Sequence, residues 1–419
     1  MPMKSNQLID RRKFLIGMGA IGTASAFGLN GCSWLADPQR LQILGLDNAL
    51  PGKVLKSFRS EFKQKAEIDP KAAPAEIWQT LRDLQLATEK KEEAKPGLEA
   101  NTDNSNDSSN DSNKADSNSG DEATDPTTEE DAKTNAAQRK VPDLVSLSDA
   151  WLDAAIAQDL IRPIPAADLA KISQWPKLEP NWQASVTRNG QVWGVPYRWG
   201  STVIAYRPDR TKFEIKSWAD LWRPELKRRI VLPDSPREVI GLVLKKLGDS
   251  YNNENLNAIA ALPTELEQLH QQVLFYSSDR YLQPLIIEDA WAVVGWSHDI
   301  EAQIDRQPKL RVVVPEEGTA LWSDIWVLPK QQPRPTNSQA AYKWINYTLS
   351  PAIANQITAL TDAVSTMPVN ADLPAKIRAN QLKFPSPEVI AKSELLQPLS
   401  DDALSEYLAL WQELRSPKA

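Results

Sequence analysis

Residues 217–247 read SWADLWRPELKRRIVLPDSPREVIGLVLKKL. Ile230, Val231 and Leu232 form a short apolar run closed by Pro233 and Asp234, the pattern of a buried strand. Ser235 stands one residue before Pro236 and three before Glu238, a capping box in which proline is pre-set for the first helical position and the glutamate folds back onto the cap amide. From Arg237 to Leu247 apolar residues recur with helical spacing. Trp218 and Trp222 lie one helical turn apart and are read as packing residues.

The same alternation extends outward. RLQILGL (40–46), PDLVSLS (142–148) and LRVVVPE (310–316) read as further buried strands, and AAYKWINYTLSPAIANQITAL (340–360) and ALSEYLALWQELR (403–415) as helical stretches. In the last, Leu404, Tyr407, Leu408 and Trp411 are assigned to one face and Ser400 to the cap. Strands alternating with helices give an α/β fold with mainly parallel sheets, whose ligands sit where strands end and helices begin.

Lys4, Arg11, Arg12 and Lys13 precede an apolar stretch, Phe14 to Leu29, too short for a membrane span, and Leu29-Asn30-Gly31-Cys32 closes it. Residues 1–32 are therefore read as an export signal removed before Cys32, the chain's one cysteine and a lipidation site. Each buried methylene of an acyl chain contributes about 0.8 kcal/mol of membrane affinity, so the mature chain is expected to be tethered rather than spanning. The paired arginines resemble a twin-arginine signal. The competing reading is an ordinary secretory signal with an unmodified Cys32.

The 419 residues are 41% hydrophobic, enough for two packed domains. Two histidines, His270 and His298, and no cysteine beyond Cys32 leave no ingredients for a zinc site, a thiol nucleophile or a Ser/His/Asp triad. There is no phosphate-binding glycine loop, so nucleotide work belongs to another subunit, and a net charge of −7 argues against nucleic acid. Tryptophan is overrepresented, 15 against 7 Phe and 8 Tyr, so flat aromatic faces are abundant.

Between Glu89 and Lys140 the chain turns to Asn, Asp, Ser, Glu and Thr and lacks the apolar surface to offset its ordering entropy. This acidic insertion, 89–140, is read as a disordered loop inside one domain, because EIWQTLRDLQLA (76–87) before it is an amphipathic helix and PDLVSLS after it a strand. An interdomain linker is the alternative.

VWGVPYRWGSTVIAYRPD (192–209), the stretch from Ser217 to Leu247, AVVGWSHDIEAQ (292–303), LRVVVPEEGTALWSDIWVLPK (310–330) and AYKWINYTLSPAIANQIT (341–358) together resemble, in order, the periplasmic spermidine/putrescine-binding proteins of ABC transporters. The resemblance implies a two-lobed clamshell of type II. Its first lobe would comprise 40–202 plus 322–368 and its second 203–321 plus 369–419. It also implies binding without reaction, with no catalytic residue, no cofactor and no metal. The partners implied are a small cationic ligand such as a polyamine, an ABC permease with its ATPase subunits, and a membrane through the anchor, the chain itself being monomeric and periplasmic.

A polyamine needs carboxylates at its ends and aromatic faces along its stem. By position in the family motifs, Trp322 and Asp324 correspond to an aromatic platform and an ammonium-binding carboxylate, Trp296 to a second platform, Glu238 to another carboxylate and Ser148 to a hydroxyl. Ser235 replaces a second family carboxylate. Gly45-Leu46-Asp47 replaces an Asn-Trp pair and small hydroxyl residue, and Ala150 replaces a tyrosine, so Asp47 and Asp149 become the substitute acceptors. Arg198 adds a cation beside Trp199-Gly200, and facing the cleft it would oppose a polycation and favour an anion. Structural roles compete throughout: helix capping for Ser235 and Glu238, core packing for Trp296 and Trp322, a turn cap for Asp324. A scaffold or sensor that kept the fold, a binder of another solute, and a carboxylate-pair hydrolase using Glu238 and Asp324 are the alternative functions. An anion or ferric-ion binder is disfavoured, since there is no adjacent tyrosine pair and no basic cluster at the expected cleft.

Overall fold

The strands expected around residues 40, 142, 230 and 310 all form, and alternation along them puts an apolar core on each face of the sheet. The computed structural model describes residues 40–47, 49–93, 141–304, 306–330, 338–368 and 372–416, with side chains from 88 to 93 left aside. In chain order the strands are β1 (Leu41–Leu46), β2 (Ala66–Lys71), β3 (Leu144–Ser148), β4 (Ile161–Arg162), β5 (Thr187–Arg188), β6 (Gln191–Val192), β7 (Val195–Tyr206), β8 (Ile230–Leu232), β9 (Val273–Tyr276), β10 (Ala292–Trp296), β11 (Arg311–Val313), β12 (Ala320–Pro329), β13 (Val364–Ser365) and β14 (Glu394–Leu395). Their main path runs β2-β1-β3-β12-β7-β10-β8-β9.

β7 carries the architecture. Its first half, through Ser201, pairs with β12, and its second half, from Thr202 to Tyr206, pairs with β10. One twelve-residue strand thus passes from one lobe of the clamshell into the other. In the first lobe Ile43 and Leu144 pack with Phe58, Trp326 and Trp344 on one face. Leu44 and Val145 pack with Ile77 and Leu81 on the other. In the second lobe Ile204 and Val294 face Trp218, Val239 and Tyr407. Val203 and Val293 face Tyr281 and Ile300.

The sheet is mixed rather than mainly parallel. β1 with β2 and β3, and β8 with β9 and β10, are parallel, as helical crossovers require. β7 is antiparallel to β10, β11 and β12, because the chain returns through the strands that join the lobes.

The stretch from 340 to 360 is broken into two helices, Ser338–Thr348 and Pro351–Leu360, since Pro351 has no N–H to continue the first and starts the second. In the helix Asp401–Arg415, Ser400 accepts from Ala403 N as expected. The buried stripe, however, runs through Ala403, Tyr407 and Leu414, while Leu404 and Leu408 are exposed. The helix is turned about one residue from the expected face because Tyr407 docks between it and the helix Pro236–Lys246, donating to the carbonyls of Tyr251 and Asn253. The expected helix at 76–87 spans Pro74–Glu93 and shares a core with β3, so the elements flanking the acidic insertion pack together. From residue 94 to 140 that insertion lies outside the described residues, as do the export signal and Cys32.

Candidate functional site

Residues opposite one another on paired strands share a face, as do residues two apart along a strand. On β7 the even positions Arg198, Gly200 and Thr202 therefore look the same way, opposite Asp324, Trp322 and Trp296 respectively. Ser148 stands opposite Asp324 on its other side. Four of the expected site residues, Ser148, Trp296, Trp322 and Asp324, are thereby set in a row where the chain passes between lobes.

Glu238 joins them from the helix Pro236–Lys246. Ser235 caps that helix, its Oγ accepting from Glu238 N at 3.4 Å. The reciprocal half of the expected capping box is replaced: the Glu238 carboxyl accepts from Thr202 Oγ1 at 3.1 and 3.3 Å. Glu238 is 6% exposed. Burial pushes its pKa up to about 7, against the smaller opposing effects of Thr202 and the Arg237 charge. Ser235 thus has a capping role.

Trp322 packs against Gly200, where a Cβ would fall 2.2 Å from its six-membered ring. Ser297 Oγ would lie 2.6 Å from the same Cβ and accepts from Ser201 N. His298 meets Trp322 edge-on with ring centroids 4.6 Å apart. The Trp322 Nε1 and His298 Nδ1 atoms are both buried with no hydrogen-bond partner. Trp296 is partly exposed and meets Tyr281 edge-on, whose hydroxyl donates to Asp299 at 2.8 Å. Asp299 is held below the usual carboxylate range, the upward push of its burial being outweighed by hydrogen bonds from His298 and Tyr281.

Asp324 differs from the sequence expectation of an open ammonium acceptor. Arg198 Nε donates to its Oδ2 at 2.5 Å, and both side chains are almost fully buried. Burial works against the Arg198 charge, but Asp324 outweighs it and raises the guanidinium pKa. Asp149 is also engaged: its Oδ2 accepts from Ser323 N at 2.7 Å and Ser323 Oγ at 2.9 Å. Burial, with a further contribution from the Asp324 charge, lifts Asp149 to about 7 despite those bonds.

Asp47 is set apart. It is exposed at the edge of a cavity of about 160 Å³ that Gly45, Ser146, Tyr197 and Trp326 also line. Sequence reading missed Thr202, the acceptor's partner, and the Ser297-His298 pair. The signal for Ser297 and His298 was their place directly after β10, at the start of the next helix, whereas Thr202 lies inside β7 with no local signal. Among the described residues no group of three or more His, Cys, Asp or Glu side chains could hold a metal ion, and no helix is long and apolar enough to cross a membrane.

Residues 121–389 match the family model of the bacterial extracellular solute-binding proteins. The chain belongs to that family. As a member of it, the chain is similar to spermidine/putrescine-binding periplasmic protein 1 of Haemophilus influenzae, 27% identical over 278 residues covering 66% of this chain and 75% of the relative. It is also similar to a putrescine-binding periplasmic protein of Escherichia coli, 24% identical over 301 residues, 66% of this chain and 79% of the relative. The spermidine/putrescine substrate-binding protein of Streptococcus pneumoniae has the same fold, with a TM-score of 0.66 at 20% identity over 90% of this chain and 98% of that one.

Proposed function

We propose that this chain is the substrate-binding subunit of an ABC importer, capturing a small cationic amine between its lobes and presenting it to a membrane permease driven by ATPase subunits. The reading is carried by one observation: two indole rings, Trp296 and Trp322, and the buried carboxyl of Glu238 converge on the strand that joins the lobes. A hydrogen bond to a charged group contributes about 1.5–3 kcal/mol and a desolvated cation over tryptophan about 2 kcal/mol. A few such contacts suffice for micromolar binding after ordering costs. Closure of two lobes over a solute supplies the conformational signal a permease reads, and no bond is broken. In this reading the chain is a periplasmic monomer, held at a membrane by a lipid on Cys32.

Calorimetry of the purified chain with putrescine, spermidine and amino acids tests the binding role. Binding heat and a thermal shift with an amine are expected, and their absence with every amine removes it. Mass spectrometry of the membrane fraction tests the anchor, which requires an N-terminus beginning at acylated Cys32.

A further inference from the structure

We propose that Arg198 sets the ligand class of this cleft, selecting an amine that also carries an anionic acceptor such as a carboxylate over a di- or polyamine. The inference rests on the reading of the cleft as an amine site and narrows it. Asp324 shares a sheet face with Trp322, but its Oδ2 is taken by Arg198 Nε at 2.5 Å, nearly out of solvent. To bind a second ammonium at Asp324, a polycation would have to displace or tolerate a buried guanidinium, like charge against like charge.

The hydrogen-bond inventory points the same way. A polyamine with every nitrogen protonated has donors only, whereas Arg198 offers a guanidinium with five N–H groups, of which the Asp324 bond uses Nε and the Tyr197 hydroxyl engages another. Trp322, on the same face beside Gly200, has its Nε1–H buried with no acceptor. These donors are complemented by a carboxylate, the group Arg recognises with its planar fork. The acceptor that remains for an ammonium on this face is Glu238, approached by the Thr202 hydroxyl, since Asp149 is taken up by Ser323, which alternates to the other face of β12. One cationic nitrogen and one acceptor group are therefore what the face can satisfy together. The charge state of Glu238 agrees: burial lifts its pKa to about 7, so the face is less negative than its count of carboxyls suggests.

Matched ligands separate the two classes. Isothermal titration of the full chain compares 4-aminobutyrate with putrescine and 5-aminovalerate with cadaverine, each pair differing by a carboxylate in place of one ammonium. Spermidine is run alongside. The expected result is at least tenfold tighter binding of the zwitterion in one or both pairs. In Arg198→Met, and in the double variant Arg198→Gln/Asp324→Asn that leaves no unpaired buried charge, that preference falls at least tenfold. Tighter binding of putrescine, cadaverine or spermidine by the unaltered chain overturns this inference while leaving the amine-binding role intact. An unchanged preference in a folded variant overturns it too. Absence of heat from all five amines removes the cleft reading itself.

Discussion

The six-membered ring of Trp322 occupies the space that a Cβ on residue 200 would need, at 2.2 Å from it. The overlap is with a rigid ring fixed against His298 rather than with the free end of a flexible chain, so it cannot be relieved cheaply. Gly200→Ala is expected to push the indole off the face, lowering stability by about 1–3 kcal/mol as overpacking does. Affinity for the cleft ligand should fall at least tenfold. Urea denaturation and calorimetry measure the two effects, and an alanine variant with full affinity would show that Trp322 is only a packing residue.

Glu238 makes stability and binding respond oppositely to pH. Its carboxyl titrates near 7 in the folded chain against 4.5 ordinarily, because burial disfavours the charge. The folded state then holds the proton more tightly than the unfolded one. The stabilisation is fully present below pH about 4.5, declines as pH rises, and is gone above about 7. Binding an ammonium favours the ionised carboxylate instead, so affinity should rise between pH 6 and 8 with release of protons, roughly tenfold for one strongly coupled group. In Glu238→Gln both dependences should flatten. Calorimetry in buffers of different ionisation enthalpy counts the protons, and equal pH slopes in the two proteins would exclude Glu238 as their source.

The reach of the sequence follows the range of each interaction. Ser235 capping the helix Pro236–Lys246, and the strand Ile230–Leu232 before it, were legible because propensity, cap and apolar run lie within a few residues of one another. The site row was legible in part, since Trp296 ends the apolar strand β10 and Trp322 lies near the start of β12. The Asp324–Arg198 pair was not, for it depends on the register of β12 against β7, 126 residues apart in sequence. The same holds for Glu238, where the local capping box predicted a bond to its own helix start and the tertiary partner Thr202 took the carboxyl. The face of the C-terminal helix failed for a related reason: Leu404, Leu408 and Tyr407 fit one stripe by spacing, and docking of the Tyr407 hydroxyl chose another.

Asp324→Ala should be far more damaging than a ligand contact alone implies. It leaves the Arg198 guanidinium buried without its charge partner, a change that costs about 3–5 kcal/mol in comparable sites. Asp324→Asn retains an acceptor and should cost less than half as much. Chemical denaturation of both variants without ligand reads the difference. If Asp324→Ala is as stable as the parent, the pair does not persist in solution.

Lys383 makes a second buried charge contact, between the lobes rather than within one. It is 4% exposed, and its Nζ donates to the carbonyls of Thr358 and Thr361 at the end of the helix Pro351–Leu360. That helix packs into the first-lobe core through Ile353 and Ile357. Glu301, whose helix Ser297–Ile304 packs into the second-lobe core through Ile300, lies 3.6 Å from the same ammonium and also accepts from Asn380. The ammonium therefore meets the negative end of one helix and an acid from the other lobe. Burial nonetheless raises the Glu301 pKa, so this acid depends on Lys383 to remain charged. Lys383→Met keeps the aliphatic stem and removes the charge. It should lower the unfolding free energy by about 2–4 kcal/mol, through carbonyls left unsatisfied and an acid left unpaired. Glu301→Gln alone should cost less, and in the double variant the losses should fall short of their sum by 0.5 kcal/mol or more, the signature of direct coupling. Additive losses in that cycle would mean that Lys383 acts only on the helix end and ties nothing across the lobes.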